Sequence, residues 1–130
     1  TDVFFLATGT GIAPVKAMLE SLMHVPEDQQ PQSITVLWGG RKPEDLYIDI
    51  AAIPGKHRYL PVISRPNEGW TGAAGYVQDI LLSTTPDLSK AAVYACGSDN
   101  MIHSAKQALS SVGLPLARFY SDAFVSSGNI

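Results

Sequence analysis

Short glycine-rich or polar segments follow several apolar runs of this sequence, and these segments are where a ligand could bind. The first is Ala7–Pro14, in which Gly9 and Gly11 are separated by one residue and a helical pattern follows directly. Glycines let a backbone turn tightly, and the free N–H groups at a helix start attract anions. The segment predicts a phosphate-binding turn. A plain strand-to-helix turn remains the alternative, because the third glycine of the dinucleotide fingerprint is absent.

Cationic and hydroxyl side chains follow the second and third apolar runs. Gly40 precedes Arg41 and Lys42, and Ser64 precedes Arg65. A hydroxyl and a guanidinium at a strand end are suited to a ribose or to its 2′-phosphate. Exposed arginines at loop starts are common, so charge alone favours solvated side chains at these positions.

The fourth apolar run ends in Cys96, the single cysteine of the chain. A lone cysteine at a buried strand end is more often a small core residue than a reactive group. It cannot form an internal disulfide and favours a reducing, cytoplasmic compartment. The three histidines lie on separate elements, so neither a metal site nor a catalytic triad is predicted: His24, His57 and His103.

Five apolar runs are predicted to be strands buried on both faces, because they are rich in Val, Ile, Phe and Tyr and mostly lack alternation. They are Val3–Ala7, Ile34–Trp38, Tyr59–Ser64, Ala92–Cys96 and Ala117–Tyr120. Strands that alternate with helices imply right-handed crossovers. We therefore expect an α/β fold with a five-stranded parallel sheet, doubly wound, in one domain of residues 1–130.

Four helices are predicted between these strands. Pro14 suits the first position of the first helix, the second begins at Pro43, the third starts near Ala74–Tyr76, and the fourth has Ser98 as its N-cap. The residues predicted to face inward are, in chain order, Val15, Met18, Leu19, Leu22 and Met23; Leu46, Ile50 and Ile53; Val77, Ile80 and Leu81; and Ile102, Ala105, Leu109 and Val112.

Composition excludes several classes of function. The 130 residues are 45% hydrophobic and 16% charged, with a net charge of −3, which is typical of a soluble globular domain. No basic block could neutralise a nucleic acid, and no apolar run approaches the roughly 18 residues of a membrane span. The chain opens without Met, almost inside an apolar run, so we expect a domain excised from a longer protein.

Taken in order, these segments resemble the NAD(P)-binding domain of the ferredoxin–NADP reductase superfamily. The matching segments cover nearly all of the chain: FFLATGTGIAPVKAMLE, LWGGRKPEDLY, PVISRP, EGWTGAAGYVQDIL, VYACGSDNMI and FYSDAFVSSGN. A GTGIAP turn, then G-x-R, then A-C-G-x-x-x-M and an aromatic acidic tail is that family's order. The W-T-G-x-x-G loop and the tail look most like NADH-dependent iron–sulfur flavoprotein reductases, including oxygenase reductase components and CDP-6-deoxyhexose (glucoseen) reductases.

The resemblance implies site residues at every strand end. Thr10 and Cys96 are implied to be catalytic, with Cys96 near the nicotinamide C4 as a small polarizable group that shapes the pocket rather than as a nucleophile. The residues implied to bind the dinucleotide or to face the flavin are Thr8, Gly9, Thr10, Gly11, Ala13, Pro14, Gly40, Arg41, Ser64, Arg65, Cys96, Gly97, Ser98, Met101, Asp122 and Phe124.

The coenzyme implied by the resemblance is NADH or NADPH. Ser64 and Arg65 resemble the pair that NADPH-specific members use for the 2′-phosphate, whereas Pro66 and the lack of a following lysine depart from that pattern. The rest of the sequence looks like the NADH group. We therefore favour NADH.

The resemblance also implies parts of the protein that lie outside this chain. FAD and a [2Fe-2S] cluster would lie on domains absent here, the chain being the C-terminal NAD(P)-binding part, inactive alone. An oxygenase or a deoxysugar dehydratase would be the electron acceptor. The alternative is a non-catalytic nucleotide-sensing or interaction module that uses the same glycine-rich turn. A self-contained dehydrogenase is disfavoured, because 130 residues leave no room for a substrate domain.

Overall fold

In residues 1–85 and 87–123, which the computed structural model describes, one sheet contains six strands, all parallel. The strands are β1 (Asp2–Thr8), β2 (Ser33–Gly40), β3 (Arg58–Ile63), β4 (Ala73–Ala74), β5 (Ala91–Gly97) and β6 (Phe119–Ala123). Their spatial order is β4-β3-β2-β1-β5-β6, so the chain builds outward from β1 in one direction and then in the other. The order switches between β1 and β5, which is where open α/β sheets bind ligands.

Three α-helices cover the two faces of the sheet in this part of the chain. They are α1 (Ile12–Met23), α2 (Val77–Thr84) and α3 (Asp99–Ser111). Alternate residues of β1 serve the two layers: Phe5 packs in the cluster with α1, and Leu6 packs in the cluster with α2 and α3. Both side chains are almost wholly buried, and burial of such a side chain contributes about 1.5–3 kcal/mol. The doubly wound parallel arrangement is confirmed.

The predicted number of strands is wrong, because β4 was not expected. This strand has two residues, which pair with Val62 and Ile63 of β3. Hydrophobic alternation cannot reveal so short a strand, since a pattern of period two needs at least four residues. The sheet edge that β4 forms is short, because β4 pairs with only the last two residues of β3.

The predicted helix that begins at Pro43 is also wrong. The segment forms two separate 3-10 turns, Pro43–Asp45 and Ile50–Ala52. The Asp45 carboxylate accepts the backbone N–H groups of the two residues before the proline and so caps the first turn, but the chain leaves helical geometry at Leu46, where φ is −93° and ψ is 78°. Ile50 and Ile53 are nevertheless buried against the α1 side of the sheet, as predicted.

The boundaries of three other elements differ from prediction. Helix α1 begins at Ile12, so Pro14 is its third residue rather than its first, still within the turn whose N–H groups lack intrahelical partners. Val112 lies beyond α3 and is 55% exposed, because the chain leaves the helix through Gly113 at a φ of 103°. Strand β6 begins at Phe119, since the residues before it form a 3-10 turn.

The N-cap of α3 is confirmed. The hydroxyl of Ser98 accepts the backbone N–H of Met101 at 3.2 Å, and an N-cap of this kind contributes about 1 kcal/mol. Across residues 1–85 and 87–123, no helix has the length and hydrophobicity that crossing a bilayer requires.

Candidate functional site

The carboxyl ends of the strands bring the predicted site residues to one edge of the sheet. Thr8 is in register with Gly39, the residue before Gly40, and the partner of Cys96 across β5 and β6 is Asp122. Because all strands run the same way, the segments that follow them meet at this carboxyl edge. Phe124, which was assigned to the site from the resemblance, lies outside the described residues.

The turn after β1 packs directly on the end of β5. Gly9 has a φ of 54°, in the left-handed region that favours glycine. Gly11 is buried, and a Cβ added there would lie 2.5 Å from the carbonyl carbon of Cys96 and 2.9 Å from the nitrogen of Gly97. Thr10, on the same turn, is exposed. Two glycines thus allow the close approach that the turn requires.

The first residues of α1 complete this turn. Ala13 is exposed and Pro14 is partly buried. The first N–H groups of a helix have no intrahelical partners, and the helix dipole adds positive charge at this end. The arrangement can therefore bind an anion such as a phosphate.

The hydroxyl of Thr8 is a buried polar atom that has no hydrogen-bond partner within the described part of the chain. It lies against Gly97, where an added Cβ would collide with this hydroxyl and would come within 3.0 Å of the methyl carbon of Met101. A buried polar group without a partner costs about 1–3 kcal/mol. A polar group of a bound ligand would satisfy it, so this hydroxyl is suited to a ligand that carries hydrogen-bonding groups, as a dinucleotide does.

Trp38 is a site residue that the sequence alone did not identify. Its side chain is fully buried, and its ring nitrogen Nε1 donates to the carbonyl of Gly9 at 3.2 Å. The ring of Tyr47 meets the indole edge-on, with centroids 5.3 Å apart. A tryptophan directly before the glycines that end β2 was the available signal, but its partner is 29 residues away.

Arg41 and Arg65 lie side by side beyond the ends of β2 and β3. The backbone N–H of Arg65 donates to the carbonyl of Arg41 at 3.0 Å, and that of Ser64 donates to Gly40 at 2.9 Å. Asp45 holds the same segment by accepting the N–H of Arg41 at 3.1 Å. Both arginine side chains are exposed. Two guanidinium groups on paired backbones suit a doubly charged phosphate.

Cys96 lies on the α1 side of the sheet and is buried, with 2% of its surface exposed. Burial, together with the carboxylate of Asp122 on the neighbouring strand, raises the pKa of this thiol to about 11. The sulfur therefore carries its proton at neutral pH, and only thiolates are effective nucleophiles. Cys96 can shape the site, but it is not set up for covalent catalysis.

The protonation of Cys96 leads to a prediction. We expect iodoacetamide to modify the native thiol at pH 8 at least about tenfold more slowly than it modifies the chain unfolded in urea, because alkylation needs the thiolate. The native rate should rise as the pH approaches 11. Mass spectrometry of timed samples measures both rates, and equal rates in the native and unfolded chain would contradict the buried, protonated thiol.

Two concave surfaces of the described chain lie at the opposite edge of the sheet. One has a volume of about 470 Å³ and includes Lys56, His57 and Arg58, and another of about 520 Å³ includes Lys90 and Arg118. Neither includes a residue assigned to the site. Within residues 1–85 and 87–123, no group of three or more His, Cys, Asp or Glu side chains is arranged to hold a metal ion.

Comparison with known proteins agrees with the resemblance. The profile of the family described as "Oxidoreductase NAD-binding domain" matches residues 5–107. The chain is 44% identical over 130 residues to a CDP-6-deoxy-L-threo-D-glycero-4-hexulose-3-dehydrase reductase of Yersinia pestis, covering 96% of this chain and 38% of that protein. It is 32% identical over 128 residues to terephthalate 1,2-dioxygenase reductase component 1 of Comamonas sp, covering 94% of this chain and 37% of that protein.

A solved structure shows the same fold. A ferredoxin NADP+ reductase from Neisseria gonorrhoeae, determined with bound FAD and NADP, matches with a TM-score of 0.77 at 21% identity, covering 94% of this chain and 55% of that chain. The present chain thus spans well under half the length of the two curated relatives.

Proposed function

The chain belongs to the family of oxidoreductase NAD-binding domains, and from this premise we propose that it binds NADH within a flavin-dependent reductase. The reductase would pass hydride from NADH to FAD and then electrons, through a [2Fe-2S] centre, to an oxygenase or a deoxysugar dehydratase. The names of the two curated relatives support both kinds of partner. The lone cysteine favours a reducing, cytoplasmic location.

The contact of Gly11 with the end of β5 is the observation that carries the proposal. Gly11 lies against Cys96 and Gly97, and Gly97 in turn lies against the hydroxyl of Thr8, which has no partner in the described part of the chain, at the point where the strand order switches. A pyrophosphate is the part of a dinucleotide that such a turn would bind. The nicotinamide would then lie toward Cys96 and Gly97, and the adenosine would lie toward β2 and β3.

The remaining residues are proposed to contact the dinucleotide along its length, from the nicotinamide to the adenosine. The backbone N–H groups of the turn from Gly9 to Gly11, with Thr8, would bind the pyrophosphate, and Thr10 would contact the nicotinamide. Gly40, Arg41, Ser64 and Arg65 would follow the adenosine ribose. Further proposed contacts, at the helix starts and on β6, are Ala13, Pro14, Ser98, Met101 and Asp122.

FAD and the [2Fe-2S] centre are proposed for parts of the protein outside this chain. The longer curated relatives leave room for such parts. In the described residues, the single cysteine is buried within the sheet, whereas a [2Fe-2S] cluster takes four ligands that are mostly thiolates. When bound, FAD would accept the hydride, and this chain would orient the donor.

Titration of the chain with NADH tests the proposed function. We expect saturable binding, measured by calorimetry or by the fluorescence of NADH, with AMP as a competitor because it carries the adenosine half. A folded chain that binds neither NADH nor NADPH would overturn the proposal. A receptor or kinase domain in the same polypeptide, in place of a flavin-binding domain, would favour the nucleotide-sensing module instead.

Arg65 provides a prediction about the choice of coenzyme. We expect Arg65→Ala to raise the Kd for NADPH by about tenfold and that for NADH by less than twofold, because a charge-assisted bond to a 2′-phosphate contributes about 1.5–3 kcal/mol. Arg58→Ala is the matched control, since Arg58 begins the same strand at the opposite edge. Equal losses for both coenzymes would contradict a 2′-phosphate role for Arg65.

A further inference from the structure

Trp38 connects the buried face of the sheet with the turn after β1. None of its side chain is exposed, and the ring N–H, its one polar side-chain group, donates to the carbonyl of Gly9. Its register neighbours on the two adjacent strands are Ala7 and Pro61, both smaller than an indole. These small neighbours leave room for a large ring on the α1 side of the sheet.

Gly9 is the residue that this hydrogen bond restrains. Its φ of 54° lies in a region that glycine enters easily and leaves easily, so the residue loses much freedom when it is fixed. Gly11, two residues later, is held by its contact with the end of β5. Gly9 itself is exposed. Its carbonyl is held by Trp38 on one side and by the backbone N–H of Ile12 on the other.

Tyr47 packs on the outer side of the same indole. The two rings meet at 81° with centroids 5.3 Å apart, and 62% of the tyrosine is exposed. An edge-to-face pair of this kind contributes to holding a ring in one orientation. The direction of the Trp38 N–H is thus set from both sides, by the sheet and by the segment that follows β2.

We propose that Trp38 is a positioning residue for the dinucleotide: its indole N–H fixes the Gly9 carbonyl, so the N–H groups of Gly9–Gly11 are arranged for a phosphate before the ligand arrives. The inference rests on the proposed function, because it concerns the same site. Trp38 touches the turn and not the ligand. Fixing a loop in its bound form improves affinity by lowering the entropy lost on binding.

The test removes the ring N–H with two variants, of which the first also keeps the shape of the ring. Trp38 is replaced by benzothienylalanine, an isostere with sulfur in place of the ring N–H, and in a second variant by phenylalanine (Trp38→Phe). Trp70 provides the matched control, because its ring N–H also donates to a backbone carbonyl, that of Ala73, at 2.9 Å. The same two replacements at Trp70 remove an equivalent bond that does not involve the turn.

We expect both Trp38 variants to raise the Kd for NADH about fivefold, the equivalent of one hydrogen bond, and both Trp70 variants to leave it within twofold. Amide hydrogen exchange at Thr10 and Gly11 in the ligand-free chain should be faster in the Trp38 variants alone. The isostere decides the result if Trp38→Phe fails to fold, since it preserves packing. Calorimetry with NADH and exchange followed by NMR provide the two measurements.

The outcomes separate this inference from the proposed function. A wild-type chain without saturable NADH binding would contradict the function itself. A wild-type chain that binds NADH, together with an isostere of unchanged Kd and unchanged exchange, would overturn the role of Trp38 alone. Equal losses of NADH affinity in the Trp38 and Trp70 isosteres would also overturn the role of Trp38, because the effect would then not depend on the turn after β1.

Discussion

Gly11→Ala is expected to abolish saturable NADH binding. The added methyl group would meet backbone atoms of Cys96 and Gly97, which cannot move aside as a flexible side chain can. Either the turn or the end of β5 must therefore shift, and the phosphate site is built from both. Overpacking of this kind costs about 1–3 kcal/mol, so the free energy of unfolding in urea should fall by a similar amount.

Gly69→Ala is the matched control for this variant. An added Cβ at Gly69 has one neighbour within 4 Å, the amide oxygen of Asn67 at an ordinary 3.7 Å. The control should bind NADH and unfold like the wild type, within the roughly 0.5 kcal/mol typical of surface substitutions. If Gly11→Ala folds and binds NADH with the wild-type Kd, the turn after β1 is not the phosphate site.

The sequence was sufficient to predict which segments meet at the carboxyl edge of the sheet, because strand ends are local features and parallel strands share one edge. The apolar runs that end at Ala7, Trp38 and Cys96 indicated β1, β2 and β5, and the residues after them follow by position. Burial on both faces also followed from the lack of alternation along these runs. These inferences need no knowledge of which residues touch across the sheet.

The parts that could not be predicted depend on contacts between distant residues or on very short elements. The bond from Trp38 to Gly9 joins two strands, and only the register of β1 with β2 brings these residues together. Asp45 caps the turn that begins at Pro43, yet the chain leaves helical geometry at Leu46, a residue type that gives no signal of a helix end. Proline at a first helical position with acidic neighbours is compatible with both outcomes.

The surroundings of Arg65 show what the pairing of strand ends reveals that the sequence composition does not. The charge of Arg65 alone favoured an ordinary solvated side chain. The hydrogen bond from its backbone N–H to the carbonyl of Arg41 brings a second arginine to the end of the neighbouring strand, and the carboxylate of Asp45 accepts the backbone N–H of that arginine. A pair of cations on adjacent strand ends is a stronger indication of an anionic ligand than either residue by itself.

Cys96→Ser is expected to slow hydride transfer in the intact reductase by at least about tenfold, while the Kd for NADH changes less than twofold. The rate is the more sensitive quantity, because misplacement of reacting groups by 1 Å costs on the order of a hundredfold in rate. A serine hydroxyl there is smaller than a thiol and is buried. An unpartnered buried hydroxyl costs about 1–3 kcal/mol, so the end of β5 would adjust to find it a partner. Stopped-flow measurement of flavin reduction over a range of NADH concentrations separates the rate from the affinity.

Thr10→Val tests whether the same edge of the sheet orients the nicotinamide from its other side. Valine has nearly the shape of threonine, and position 10 is exposed, so this variant should keep its stability while it loses a hydroxyl that could bind the nicotinamide. Flavin reduction at the wild-type rate in both Thr10→Val and Cys96→Ser would remove both residues from the nicotinamide site. Slower flavin reduction in both variants, with NADH affinity retained, would indicate that the nicotinamide lies between the turn after β1 and the end of β5. These are the two segments that meet at Gly11.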